Sequence, residues 1–342
     1  MITIYSDAHF GHAPQSELLD GRLQPIFERP ERARRIIEAV REAKLGEVRE
    51  PVPCTLEPIL RVHDAGLVRF LEEARRLWKA QVGEQDTLPF AHYARGMTVR
   101  EPESINGKLA FYALDAVTPL TDGSWKAALN GVSVALSGLD VVRGGARTAF
   151  SLCRPPGHHS MRGQYGGYGL FNNVAVAARA AVDCGATRVA VLDVDVHHGN
   201  GTQDIFYDCA DVLYVSIHAD PRYGYPFFMG HADEAGRGEG EGFNVNMPMP
   251  HGTDWKAYRP VLADAIKRVR EYAPDMLFVS LGVDTSEGDP ISPFKLRTDD
   301  YLLLGQAIAA LSLPTLFVME GGYDIEALGR NTVNVLLGFE GG

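Results

Sequence analysis

The chain has 342 residues, 45% hydrophobic and 23% charged, with a formal net charge of −11. That composition is typical of a soluble globular protein able to bury a sizeable core, and the acidic balance argues against nonspecific nucleic-acid binding, which needs a cationic surface. No stretch approaches a membrane-spanning length, MITIYSDAHF lacks a signal-peptide pattern, and Cys54, Cys153, Cys184 and Cys209 lack CxxC or CxC spacing, which together imply a cytoplasmic protein with reduced thiols and no membrane partner.

In chain order, β-branched apolar runs predict strands at Ile2–Tyr5, Thr148–Leu152, Val189–Val194, Val212–Ile217, Met276–Leu281 and Thr315–Met319. Helical patterns fall between them. Pro30–Lys44 begins with proline at a helix-start position and carries Ile36, Ile37 and Val40 on one stripe. Ala65–Lys79 places Leu67, Leu71, Ala74 and Trp78 at helical spacing, and Phe171–Asp183 and Trp255–Tyr272 fill later gaps. Strand–helix alternation with continuously apolar strands predicts an α/β fold with a mostly parallel sheet covered on both faces. With no repeat, low-complexity tract or long linker, one domain over 1–342 is expected.

Each predicted strand runs into polar residues: Ser6, Asp7 and His9; RPPGHH; DVDVHHGNG; SIHAD; LGVDTSEGD; EGGYD. Ligand sites of parallel α/β sheets lie outside the carboxyl ends of the strands, so this regularity predicts one composite site there. VAVLDVDVHHGNGT (189–202) is the most informative segment. Residues two apart on an extended strand point the same way, roughly 6–7 Å apart. Asp195 and His197 can therefore close on one metal ion while Val194 and Val196 face apolar packing. Asp284 in SLGVDT is the natural third ligand, although an aspartate there also serves as a helix cap or turn residue. Two carboxylates and one imidazole leave coordination open, as catalytic zinc requires. His158 and His159 reach a cleft if their Pro-Pro-Gly loop is tight. Asp193 can then orient one imidazole and Asn200 the other, separating them in basicity. Tyr323 follows two glycines that give the backbone freedom to aim its phenol at a developing oxyanion.

RPPGHH, DVDVHHGNGTQDIF, SLGVDT and EGGY, in this order and spacing, resemble the zinc-dependent histone deacetylase family of the arginase–deacetylase fold, and FERPERARRI and VHDAGLVRFLEE extend the likeness to nearly the whole chain. It is most similar to the bacterial branch of acetylpolyamine amidohydrolases. The resemblance implies a three-layer α/β/α domain with a central sheet of about eight strands. It makes Asp195, His197 and Asp284 ligands of one Zn²⁺, a set that Fe²⁺ or Co²⁺ could also occupy. His159 becomes general base and acid, His158 the second imidazole paired with Asp193, and Tyr323 the group that polarises the acetyl carbonyl. A structural K⁺ would sit on backbone carbonyls of Asp193, Asp195, His197, Ser216 and Ile217. Gly167, Tyr168 and Tyr225 would line a narrow tunnel. An insertion at about 83–106 would stand at the entrance or in a homodimer interface.

The arginase side of this superfamily binds two manganese ions, but Gly199 and Ser286 stand where its pattern has further aspartates, so one metal is expected. The implied substrates are small N-acetylated amines: acetylputrescine, acetylcadaverine or longer acetylpolyamines. N-acetyl-lysine in proteins or peptides is the alternative, and a non-catalytic zinc-binding member of the fold is disfavoured because no active-site residue is missing. Glu101, Glu103 and Asp115 are candidate carboxylates at the tunnel mouth, whereas Asn106 and Val117 offer none.

Overall fold

The computed structural model describes residues 1–19, 21–92 and 99–342. Its strands are β1 (Ile2–Ile4), β2 (Ser16–Leu19), β3 (Arg22–Pro25), β4 (Val48–Arg49), β5 (Thr148–Ser151), β6 (Val189–Asp193), β7 (Val212–Ala219), β8 (Asn244–Met249), β9 (Met276–Leu281) and β10 (Thr315–Met319). Eight form one sheet in the order β4-β1-β5-β10-β9-β6-β7-β8. Every pairing in it is parallel. β2 and β3 form a separate antiparallel hairpin.

Side-chain alternation along buried strands builds two cores. Val189 and Val191 join one cluster, packed under the helices Ala65–Gln81, Ser124–Arg143 and Asn173–Asp183. Ala190 and Leu192 join the other, covered by Glu31–Glu42, Trp255–Tyr272, Asp300–Ala309 and Leu328–Glu340. The expected stripe of Ile36, Ile37 and Val40 is buried in this second layer. Asn172 caps its helix by accepting from the Ala175 amide, so that helix starts two residues later than the apolar pattern suggested.

Four adjacent central strands, β5, β10, β9 and β6, carry the chemistry-bearing loops at their carboxyl ends. The strand expected to run to Val194 ends at Asp193. Asp195 and His197 are thus gathered by a turn rather than by continued sheet: Asp193 Oδ1 accepts from the Asp195 amide at 3.2 Å, and Asp195 Oδ1 from the His197 amide at 2.9 Å. The facing alternation nevertheless continues, because Val194 and Val196 remain in the second core.

Below these loops lies a buried ionic cluster. The Glu28 carboxylate accepts from Arg154 (2.8 and 2.9 Å) and from Arg32 (2.9 Å). Arg154 also donates to the His9 carbonyl, and Arg32 to the carbonyls of Glu320 and Gly322. Burial opposes charge on Glu28, but the two guanidiniums override it and hold its carboxyl below the ordinary value. Removing the carboxylate strands two buried cations, so Glu28→Ala should lower unfolding stability by about 3–5 kcal/mol. Urea denaturation checks this, and a loss below about 1 kcal/mol would contradict it.

Candidate active site

Asp193, Asp195 and Asp284 are fully buried. Ionised carboxylates survive there only when paired or hydrogen-bonded. Asp193 accepts from His158 Nδ1 and the Tyr214 hydroxyl, both at 3.0 Å. Asp195 Oδ2 accepts from the Gly321 amide at 2.8 Å, and Asp284 Oδ1 from the Val196 amide at 2.9 Å. His197 Nδ1 lies 3.2 Å from Asp195 Oδ1 and 3.4 Å from Asp284 Oδ2.

Ligating atoms of Asp195, His197 and Asp284 all fall within 4.8 Å of one another, the one group of three or more His, Cys, Asp or Glu side chains among the described residues that could hold a metal. Asp284 Oδ2 is buried without a hydrogen bond. Burial and the neighbouring Asp195 charge push the Asp284 carboxyl up. An orphaned carboxylate oxygen, a second carboxylate and an imidazole fit a divalent cation.

The two histidines after β5 take opposite charge preferences with ring centroids 4.0 Å apart. Burial disfavours charge on His158, but Asp193 and Asp195 outweigh it and push its pKa up to about 10. Burial and the neighbouring His158 and His197 hold His159 well below the ordinary imidazole value. His159 Nδ1 meets Asn200 Oδ1 at 2.7 Å, while Asn200 Nδ2 donates to the His159 carbonyl. The Asn200 oxygen only accepts, so the Nδ1 proton is fixed and Nε2 is left as the basic nitrogen.

Tyr323 is placed by close backbone approach. A Cβ at Gly321 would strike the Asp284 carboxylate, and Gly322 has φ +130°. Both glycines are therefore required, one for space and one for conformation. The Arg32 guanidinium lies 4.5 Å from the Tyr323 ring centroid. Burial raises the phenol well above its ordinary pKa, keeping it a proton donor.

A cavity of about 440 Å³, within the range of small-ligand sites, is lined by His159, His197 and Tyr323 together with Gly167, Tyr168, Tyr225 and Ile291. Among its described lining residues there is no carboxylate, lysine or arginine. Of the acidic candidates for the mouth, Glu101 pairs with Lys108 at 2.9 Å, Glu103 lies outside the lining, and Asp115 accepts four hydrogen bonds, from Val117, Thr118, Gly167 and Tyr225. Val117 itself lines the cavity. Asp193 and Ser216 are register neighbours on β6 and β7, with Ile217 next along. Residues 93–98 of the expected insertion lie outside the described residues.

Sequence reasoning passed over Glu320, although it opens the EGGY motif. This buried carboxylate accepts from the amides of Gly157 (2.6 Å) and His158 (3.1 Å), locking the histidine loop to the end of β10. Burial pushes its pKa up to about 7. Glu17, on β2, was also unmarked; it accepts from the Tyr168 hydroxyl at 2.6 Å.

Residues 26–339 match the histone deacetylase domain, and the chain belongs to that family. Within it the chain is similar from end to end to acetylpolyamine amidohydrolases. It is 53% identical to acetylpolyamine amidohydrolase 2 of Pseudomonas aeruginosa, over 100% of this chain and 99% of that protein. Identity to the acetylpolyamine amidohydrolase of Mycoplana ramosa is 45%, covering 100% of both chains. The crystal structure of an acetylpolyamine aminohydrolase from Burkholderia pseudomallei superposes with a TM-score of 0.94 at 41% identity, covering 99% of this chain and 98% of that one. The eight-stranded parallel sheet between helical layers is the arginase–deacetylase fold expected from the sequence.

Asn200→Ala frees the His159 ring from its only side-chain anchor described above while leaving Asp195, His197 and Asp284 untouched. Amide hydrolysis should fall about 10- to 100-fold, the usual cost of losing a group that orients an active-site imidazole, with unchanged metal stoichiometry. Steady-state assays with metal analysis check this; wild-type turnover would remove Asn200 from the site.

Proposed function

We propose that the protein is a zinc-dependent amidohydrolase that removes acetyl groups from small linear amines such as acetylputrescine and acetylcadaverine. The observation that carries this reading is the meeting of the Asp195–His197–Asp284 group with two imidazoles, one anchored by Asp193 and the other by Asn200, beside an apolar cavity. Asp195, His197 and Asp284 would hold Zn²⁺, which when bound supplies Lewis acidity to the acetyl carbonyl and makes a nearby water more acidic. His159 Nε2 takes the proton of the attacking water. The Tyr323 phenol donates to the carbonyl oxygen as negative charge develops there. His158, kept cationic by Asp193, adds stabilising positive charge, and an imidazole returns a proton to the departing amine. Backbone carbonyls of Asp193, Asp195, His197, Ser216 and Ile217 would hold a K⁺ ion; the side-by-side register of Asp193 and Ser216 supports this.

Walls made by Tyr168, Tyr225 and Ile291 suit a flexible alkyl chain and exclude a folded protein surface. A lining without carboxylates favours short acetylated diamines over the longest polyamines. The exposed side chains of Phe90 and Val99 support placing the 83–106 insertion at a homodimer contact beside the entrance. No helix among the described residues is long and apolar enough to cross a membrane. The four unpaired cysteines support a cytoplasmic location.

Acetylcadaverine should be hydrolysed with a kcat/KM at least about ten-fold above that of an acetyl-lysine peptide, a difference of the size pocket shape alone can supply. Steady-state kinetics on both decides, and a large advantage for the peptide rejects the small-amine reading. Tyr323→Phe should fold normally and lose about 10²–10³-fold in turnover, as for one oxyanion donor. Wild-type turnover in that variant would exclude the tyrosine from the reaction.

A further inference from the structure

We propose that Asp115 is a positioning residue that sets the width of the substrate cavity by holding its two aromatic walls on one carboxylate group. This rests on reading the cavity as the acetamide site. Asp115 Oδ2 accepts from the Gly167 amide at 2.6 Å and from the Tyr225 hydroxyl at 2.7 Å. One wall carries Gly167 and Tyr168; the other comes from the loop after β7. Two donors on one oxygen can be no further apart than their two bonds laid end to end, so the carboxylate ties the spacing of the walls. Oδ1 accepts from the Val117 amide and the Thr118 hydroxyl, both at 3.0 Å, and Thr118 Oγ1 in turn accepts from the Tyr168 amide at 2.9 Å.

The brace has something to hold. Gly167 and Tyr168 are consecutive left-handed residues, with φ of +56° and +65°. A non-glycine residue there is strained and persists only when its surroundings over-determine it. Asp115 and Thr118 fix the two amides of this turn, and Glu17 fixes the far end of the Tyr168 ring. At Gly167 a side chain would strike the His159 ring, so the turn brings the wall directly against the general base. Tyr225 packs edge-on to the same imidazole, with centroids 4.8 Å apart. A shift of the brace would therefore move both the alkyl-chain walls and the packing around His159. With four donors already satisfied, Asp115 is not the amine-binding carboxylate that its place in the sequence suggested.

The test compares Asp115→Ala, Asp115→Asn and Tyr225→Phe with the wild type on linear acetylcadaverine and on an acetamide branched at the carbon next to nitrogen. Loosened walls should raise KM for acetylcadaverine about ten-fold in Asp115→Ala, the effect of losing a hydrogen bond to a charged group. The change in kcat should be smaller, and the preference for linear over branched substrate should narrow. Asp115→Asn keeps an acceptor and should recover part of the loss; Tyr225→Phe should shift the preference in the same direction. Independently of turnover, amide hydrogen exchange across 165–169 should speed up in Asp115→Ala. Absence of wild-type turnover on acetylcadaverine would overturn the functional reading, while exchange would still judge the brace. Unchanged exchange, or an equal fall of kcat on both substrates at constant KM, would overturn the brace.

Discussion

Three aspartates buried at the carboxyl edge of the sheet set the terms for everything around them. Asp193, Asp195 and Asp284 sit where water cannot solvate them, on strands or strand ends that the topology makes neighbours: β6 pairs with β9, with Asp193 opposite Ser280. Their charge is answered by the Asp195, Val196, His197 and Gly321 amides and by the His158 and His197 imidazoles. These contacts leave Asp284 Oδ2 without a hydrogen bond. The tight turn, the glycine at position 321 and a triad able to hold a cation are consequences of keeping carboxylates where a hydrophobic strand ends.

A second buried set of charges ties the loops of this edge to one another. Glu28 is gripped by Arg154 and Arg32, and through them it connects the histidine loop, the His9 turn and the carbonyls flanking Gly321. Glu320 closes the frame by binding the amides at the start of the histidine pair. Buried ion pairs of this kind add little net stability compared with apolar packing. Their contribution here is geometric: side chains that line the candidate site, drawn from strands distant in sequence, are carried on loops whose backbones are tied to one another.

The central strands were legible because both their faces are buried, and such strands read as continuous apolar runs. The residues that meet at the Asp195–His197–Asp284 group and the histidine pair were legible because they follow those runs directly. Less was readable where structure depends on distant partners. Nothing local in FERPERARRI shows that Arg32 will meet carbonyls 288 and 290 residues away. The helix Ser124–Arg143 carries no clear sequence signal because it is buried over much of its surface and contains Gly131 and Gly138, which blunt an amphipathic pattern. β4 and β8 are edge strands, one only two residues long and the other rich in asparagine and methionine. Asp115 shows the same limit at the site: its acidity was visible, but not that four donors would converge on it.

The most direct test of this account is a zinc titration of the metal-free chain, following acetylcadaverine turnover and melting temperature together. If the buried aspartates define a single-cation hydrolytic centre, both should rise in step and level off at one equivalent of zinc. Full turnover without metal, or activity that climbs until a second equivalent is bound, would contradict it.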